Sequence, residues 1–182
     1  MANPPNAVFK GELDRLVGDQ WLPIVDLKRQ EYLVYPGEVR PYLYYVAEGA
    51  LRVLVENEDE VLTIRFGYPG SFISTLDSFL RGGPSDYGIQ ALKKARVLPL
   101  ARSTFLTAVD RSPRLAQLWQ AALEQLVLQQ LEREIDILSP SPQLRYQRVL
   151  QRSPQLFQEI PHKYIAAYLR MTPETLSRLK KS

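Results

Sequence analysis

Two hydrophobic patterns divide the chain, and the first covers its N-terminal half. Apolar residues at helical spacing predict one helix over residues 6–18. Over residues 21–100, short β-rich runs alternate with turn residues, and Glu48–Gly49 and Asn57–Asp59 are interpreted as tight hairpin turns. One short helix is predicted inside this region, over Ser74–Arg81. Strands at this spacing predict a small antiparallel sandwich or barrel.

The second pattern has a period of 3.6 residues and begins after Arg102. It predicts a short helix over Ser103–Asp110, and Ser112–Pro113 then supplies an N-cap and a first-turn proline. The next helix continues to Leu138, about 26 residues or ~39 Å. This is longer than one face of the β-domain, which predicts that part of its apolar stripe contacts a second copy of the chain. Packing inside one protomer is the alternative. The predicted dimer residues are Leu115, Leu118, Trp119, Ala122, Leu123, Leu126 and Val127, and the stripe continues through Leu131, Ile135 and Leu138.

The segment after a Ser139–Pro142 linker predicts three helices, of which the last two form a helix–turn–helix. The first covers Gln143–Gln151 and is followed by a connection of no assigned structure. Pro161 opens the next helix, and Thr172 with Pro173 begins the last one after a three-residue turn. The last helix is short, polar and basic, as suits a helix in a major groove. An ordinary pair of packed helices is the alternative.

Charge changes sign at the same linker. Residues 139–182 hold eight Lys/Arg and two acids, net +6, whereas the first 138 residues are net −3. This asymmetry favours a polyanionic partner at the C-terminal end, with a solvated basic surface as the alternative. The absence of cysteine and the single histidine exclude disulfides, thiolate chemistry and a multi-histidine metal site. We therefore expect no enzymatic activity and no cofactor. The sequence also predicts no membrane span and no secretory signal, hence a soluble intracellular protein.

Side chains of the last helix suit contacts with DNA. Arg178 has the geometry to bind guanine O6 and N7, and Glu174 can accept from a cytosine amine. Hydroxyls, lysines and the amides at the helix start suit phosphates. His162 is assigned a phosphate contact or a surface position. The candidate DNA-binding residues are Lys163, Thr172, Pro173, Glu174, Thr175, Ser177, Arg178, Lys180 and Lys181.

The whole chain resembles the Crp/Fnr-type bacterial transcription regulators. Residues IPHKYIAAYLRMTPETLSRLKK resemble the family's helix–turn–helix, and Glu174 to Arg178 follow its E-x-x-S-R pattern. Gly37 and Gly49 stand at turn glycines of its β-roll, and YPGSFISTLDSFLRGGPSDYGIQAL occupies the stretch of its phosphate-binding cassette. The resemblance implies that Glu174, Ser177 and Arg178 read bases in each half-site of a two-fold symmetric operator. It also implies RNA polymerase and a small-molecule effector of unknown identity as partners.

Three features depart from the family pattern. In the cyclic-nucleotide-binding members of the family, a Gly-Glu pair holds the ribose and an Arg-Ser pair holds the cyclic phosphate. In this chain the first pair corresponds to Ser74–Thr75 and the second to Ser85–Asp86. A phosphate facing Asp86 without an arginine would be an unpaired anion, so we expect no tight cyclic AMP binding. No winged hairpin follows the last helix, so DNA binding should be weaker and less salt-sensitive than in winged relatives. Arg170 stands where the family often has Gly, and a left-handed residue with a side chain costs ~1–2 kcal/mol. The candidate effector residues are Gly70, Ser71, Phe72, Ser74, Thr75, Ser85 and Asp86.

These observations together predict an α+β protein in three parts. An antiparallel β-roll sensor domain with flanking helices (1–112), similar to a cyclic-nucleotide-binding jelly roll, precedes a dimerisation helix (113–138) and a shortened helix–turn–helix domain (139–182). The expected function is that of a cytoplasmic, nucleoid-associated homodimer that binds specific double-stranded DNA. Two alternatives remain: a ligand-binding or protein-interaction β-roll module without DNA binding, and a jelly-roll enzyme.

Overall fold

A computed structural model describes residues 4–58 and 60–180, in which two four-stranded antiparallel sheets form a β-roll. The strands are β1 (Val25–Leu27), β2 (Tyr32–Val34), β3 (Tyr42–Glu48), β4 (Leu51–Glu56), β5 (Val61–Gly67), β6 (Phe72–Ile73), β7 (Gly88–Ala91) and β8 (Ala95–Ala101). Their order is β1-β8-β3-β6 in one sheet and β2-β7-β4-β5 in the other. Buried residues of both sheets share one hydrophobic core, among them Val46, Val53, Ile89 and Val97. The predicted antiparallel roll is confirmed, and two of its strands, β1 and β6, are only three and two residues long.

One of the two predicted hairpin turns joins strands that do not pair. The β4–β5 hairpin is confirmed: the Asn57 amide donates to the Glu60 carbonyl (3.0 Å), while Asp59 lies outside the described residues. Glu48–Gly49 instead carries the chain from β3 in one sheet to β4 in the other. Gly49 has a φ of +85°, and a Cβ there would lie 2.2 Å from the Lys94 carbonyl oxygen, so this crossing requires glycine. The hairpin prediction at Glu48–Gly49 is wrong because a short turn motif does not specify which sheet the next strand joins.

The helices agree closely with the hydrophobic periodicity. They are α1 (Pro4–Val17), α2 (Leu76–Arg81), α3 (Arg102–Arg111), α4 (Pro113–Leu138), α5 (Pro142–Arg152), α6 (Pro154–Glu159), α7 (His162–Tyr168) and α8 (Pro173–Leu179). The predicted start of α4 is confirmed, because the Ser112 hydroxyl accepts from the Leu115 amide. Helix α6 lies in the connection that received no assignment, although Ser153–Pro154 repeats the Ser-Pro start of α4 and α5. In the described part of the chain, no helix has the length and apolar character needed to cross a membrane.

The long helix α4 contributes to both of the compact units into which the chain divides, Met1–Ala122 and Leu123–Ser182. In the first unit, the Trp119 ring lies 4.9 Å from the Phe105 ring and 6.0 Å from the Phe79 ring. In the second unit, acidic residues of α4 pair with arginines of α5. The division therefore falls inside α4 and not at the Ser-Pro linker, because these ion pairs join the second half of α4 to the helices that follow it.

Candidate nucleic-acid interface and effector segment

Helices α7 and α8 form a helix–turn–helix within the second unit. Ile165 and Ala166 of α7 are fully buried, and Leu176 of α8 is buried opposite the solvent-facing side of its helix. The turn is a Schellman motif, in which the Met171 amide donates to the Ala166 carbonyl (3.0 Å) and the Arg170 amide to the Ala167 carbonyl (3.1 Å). Arg170 has a φ of +54°, so the predicted left-handed conformation at this position is confirmed.

The N-terminus of α8 is capped by its own side chains. The Thr172 hydroxyl accepts from the Thr175 amide (3.2 Å), and Pro173 occupies the first turn. Hydrogen bonds from the Glu174 amide and from Thr172 hold the pKa of the Glu174 carboxyl below its ordinary value. Glu174 therefore stabilises the start of the helix.

The exposed face of α8 brings together the three residues that the resemblance assigns to base reading. Glu174, Ser177 and Arg178 are all exposed, and with Pro173 they line one shallow, open depression. This follows from helical geometry, since positions separated by three or four residues lie on one face. An arginine, a hydroxyl and a carboxylate thus stand side by side, and together they can donate to and accept from base edges.

The predicted phosphate contacts lie at the two ends of the helix–turn–helix. Lys163 is exposed at the start of α7, with its ammonium 4.7 Å from the Tyr164 ring. Lys180 follows α8, and its Nζ lies 2.7 Å from His162 Nε2. Thr175 is half-buried against the cap, and Lys181 lies outside the described residues. The two described lysines leave α8 flanked by positive charge.

Three arginines of α5 have a role that the sequence analysis missed. Arg145, Arg148 and Arg152 follow one another at helical spacing and turn toward the protein. Arg148 and Arg152 both pair with Asp136, which is only 2% exposed, and with Glu132. The hydrogen bond to Asp136 raises the pKa of Arg148 above its ordinary value. The charges of Arg148 and Arg152 are therefore neutralised inside the unit and add little to the exposed positive surface. Their spacing was visible in the sequence, but their acidic partners precede the linker.

The predicted dimer residues of α4 fall into two groups. Leu115 is fully buried in the first unit, and Leu118 and Trp119 pack against the same core, so these side chains are used inside the protomer. Ala122, Leu123 and Leu126 are partly buried. The second half of α4 instead carries large apolar side chains, each more than half exposed, and most of them are three or four residues apart. We call them the exposed α4 stripe: Val127, Leu128, Leu131, Ile135 and Leu138.

Four of the candidate effector residues are engaged in local structure. Gly70 and Ser71 close a turn in which the Ser71 amide donates to the Tyr68 carbonyl (2.9 Å). The Phe72 ring packs against the Phe9 ring of α1, with centroids 5.0 Å apart. The Ser74 hydroxyl donates to a main-chain carbonyl of β3 (2.9 Å).

The other candidate effector residues lie beside the start of α2, where Asp77 supplies a contact that the sequence analysis did not predict. Its carboxylate accepts from the Ser85 hydroxyl (2.7 Å), the Ser78 amide (2.8 Å) and the Asp86 amide (3.2 Å). Ser85 is fully buried, and so is Thr75, whose hydroxyl has no partner among the described residues. The Ser85 hydroxyl and the Asp86 amide are thus already bonded to a carboxylate of the chain itself.

The comparisons with known proteins agree with this architecture. Residues 24–112, which include the whole β-roll, match the family model described as "Cyclic nucleotide-binding domain". This segment is therefore similar to a cyclic nucleotide-binding domain. No curated protein sequence matches the chain.

Solved structures extend the likeness beyond the cyclic nucleotide-binding domain. FixK2 from Bradyrhizobium japonicum is 21% identical with a TM-score of 0.73, over 87% of this chain and 82% of that one. The catabolite activator protein of Thermus thermophilus is 24% identical with a TM-score of 0.57, over 94% and 81%. A transcriptional regulator of the CRP/FNR family, also from Thermus thermophilus, is 22% identical with a TM-score of 0.63, over 86% and 83%. The predicted resemblance is confirmed: the chain has the fold of the Crp/Fnr-type regulators.

The segment that matches the cyclic nucleotide-binding model carries a negative charge where the resemblance places the phosphate. Asp77 and Asp86 both lie at the segment that corresponds to the family's Arg-Ser pair. A phosphate there would meet like charge, and Ser85 would have to give up its bond to Asp77. The expectation that cyclic AMP does not bind tightly stays a prediction.

Proposed function

We propose that the chain is a sequence-specific DNA-binding regulator without enzymatic activity, which binds a two-fold symmetric operator as a homodimer. The observation that carries the proposal is the shared exposed depression of Glu174, Ser177 and Arg178 on a short capped helix of a helix–turn–helix. A helix of this kind places its N-terminal residues against base edges in the major groove. In that position Arg178 binds a guanine and Glu174 a cytosine amine.

The charges around α8 support a nucleic-acid partner. Lys163, Arg170 and Lys180 are exposed on the described helix–turn–helix, and each can neutralise a backbone phosphate. The neutralisation of Arg148 and Arg152 inside the unit lowers the number of phosphates that the segment can contact. We therefore expect a shallower salt dependence than the +6 charge of the segment suggests.

The exposed α4 stripe supports the homodimer. Its apolar side chains follow the three-and-four spacing of a coiled-coil seam, and a second copy of α4 would cover them by two-fold symmetry. Two recognition helices related by that symmetry then read two half-sites, which is why we expect a palindromic operator. Such a regulator acts in the cytoplasm on chromosomal DNA, with RNA polymerase as its expected protein partner.

We further propose that cyclic AMP is not the effector of the β-roll. Calorimetry with cyclic AMP should show no binding at micromolar concentrations, and micromolar or tighter affinity would contradict this. An effector of another kind would regulate DNA binding only if it bound two states of the dimer with different affinities.

Selection of bound sequences from random duplexes tests the main proposal. We expect a palindromic consensus, and we expect Arg178→Ala to cost about 1–3 kcal/mol and to relax discrimination at one base pair of each half-site. Arg29→Ala, which removes an exposed arginine of the β-roll, is the matched control and should change neither. Selection of no consensus would favour a protein-interaction module, and unchanged discrimination by Arg178→Ala would refute the role of that residue.

A further inference from the structure

Arg145 of α5 is a buried arginine whose donors are taken up by main-chain carbonyls of three different residues. The residue is 8% exposed. Its Nε donates to the Leu169 carbonyl (2.8 Å), its Nη2 to the Arg170 carbonyl (3.1 Å) and its Nη1 to the Ser139 carbonyl. A buried guanidinium is costly unless its donors are satisfied in good geometry. Three carbonyls provide that geometry here.

Two of these carbonyls belong to the turn between α7 and α8. The Schellman motif satisfies the carbonyls of Ala166 and Ala167, but the carbonyls of the next residues have no partner within the motif. Leu169 is buried and cannot leave its carbonyl unpaired without a penalty. Arg145 supplies the missing donors, and its charge also suits the negative end of α7.

The same turn contains the unfavourable conformation of Arg170. A left-handed residue with a side chain persists only where neighbouring contacts hold it. Arg145 bonds to the carbonyls of the two peptide units that flank the Arg170 Cα, those of Leu169 and of Arg170 itself. It thereby fixes the peptide units that determine the direction in which the chain enters α8.

We propose that Arg145 is a positioning residue for the recognition helix: it holds the α7–α8 turn in the conformation that presents Glu174, Ser177 and Arg178. Its side chain is buried, so it acts on DNA only through the turn. The DNA-binding part of this inference rests on the proposed function, whereas the effect on the turn does not. Through Ser139, the same guanidinium also ties the end of α4 to the turn.

The test compares Arg145→Gln with the wild-type protein by two measurements. Without DNA, hydrogen exchange at the amides of Arg170 and Met171 should accelerate roughly 10- to 100-fold, the usual worth of a lost charge-assisted bond, while exchange in β3 and β8 stays unchanged. With DNA, affinity for the selected operator should fall by a similar factor, and affinity for a random duplex should change little because the exposed lysines remain. Arg148→Gln, in the same helix but not bonded to the turn, is the matched control.

A second substitution makes the inference decisive. Arg170→Gly removes the conformational penalty of the turn, so adding it to Arg145→Gln should recover most of the lost exchange protection of the turn amides in the absence of DNA. Where Arg145→Gln fails to fold, Arg145→Lys, which keeps the charge without the fork of donors, should show intermediate exchange. The positioning role would be overturned if Arg145→Gln and Arg148→Gln lost equal exchange protection in the turn and equal operator affinity. It would also be overturned if Arg170→Gly restored no exchange protection to Arg145→Gln. A wild-type protein that selects no duplex would instead refute the proposed function, and the exchange measurement would still test the turn.

Discussion

Replacing Leu131 by serine should weaken the proposed homodimer by a measurable factor. Leu131 lies in the exposed α4 stripe and is 52% exposed. Complete burial of a leucine side chain contributes about 1.5–3 kcal/mol, so covering the remaining half contributes roughly 0.8–1.5 kcal/mol. A two-fold interface contains the residue twice, which gives about 1.5–3 kcal/mol per dimer. We therefore expect the dissociation constant of the dimer to rise roughly 10- to 150-fold.

Sedimentation equilibrium over a range of protein concentrations measures this constant directly. Leu80→Ser is the matched control, because Leu80 of α2 is 46% exposed and lies outside the stripe; its dissociation constant should equal that of the wild-type protein. A wild-type protein that stays monomeric at tens of micromolar would refute the reasoning. Equal effects of the two substitutions would show that the stripe is not the dimer contact.

Three further predictions follow from individual contacts. Leu115→Ala should cost about 2–5 kcal/mol of unfolding free energy in urea titrations, because the side chain is fully buried. Thr172→Ala should lower the free energy of unfolding by about 0.5–2 kcal/mol, because it removes the N-cap of α8. It should also raise the pKa of Glu174 in NMR titrations, since the wild-type hydrogen bonds lower that pKa. The stabilisation by Glu174 is present above its unfolded pKa and is lost as the pH falls through the lower folded value. Burial and a hydrogen bond to Glu56 raise the pKa of Tyr32 to about 12. The contribution of the neutral Tyr32 hydroxyl to stability is therefore lost as the pH rises from about 10 to that value. Glu56→Gln should lower the pKa of Tyr32 that an ultraviolet titration measures.

Short-range chemistry explains why most elements and the left-handed turn could be predicted. The N-cap at Ser112 and the cap at Thr172 depend on residues within one helical turn. The positive φ of Arg170 follows from its place in a three-residue connection, which the resemblance also marked. The exposed face of α8 follows from spacing alone, because Leu176 must be buried for the helix to pack.

The net charge of the C-terminal segment predicted the exposed cations of the candidate interface less well than helical spacing did. The net charge of the C-terminal segment is correct, but it does not distinguish Arg178, which is exposed, from Arg148, whose guanidinium is paired with Asp136. These partners are twelve residues apart and belong to different helices. Only the packing of α5 on α4 decides which cations remain at the surface.

The order of turns, caps and amphipathic segments was therefore enough to establish a β-roll, a long helix and a helix–turn–helix, because each of these signals depends on near neighbours. The folded arrangement alone decides which sheet follows Gly49, which carboxylate bonds to Ser85 and which carbonyls Arg145 holds. In each case the partner lies on another element, and its distance depends on how the elements pack. The contacts around Ser85 and the proposed positioning of α8 by Arg145 belong to this second group, since long-range contacts carry no local periodicity.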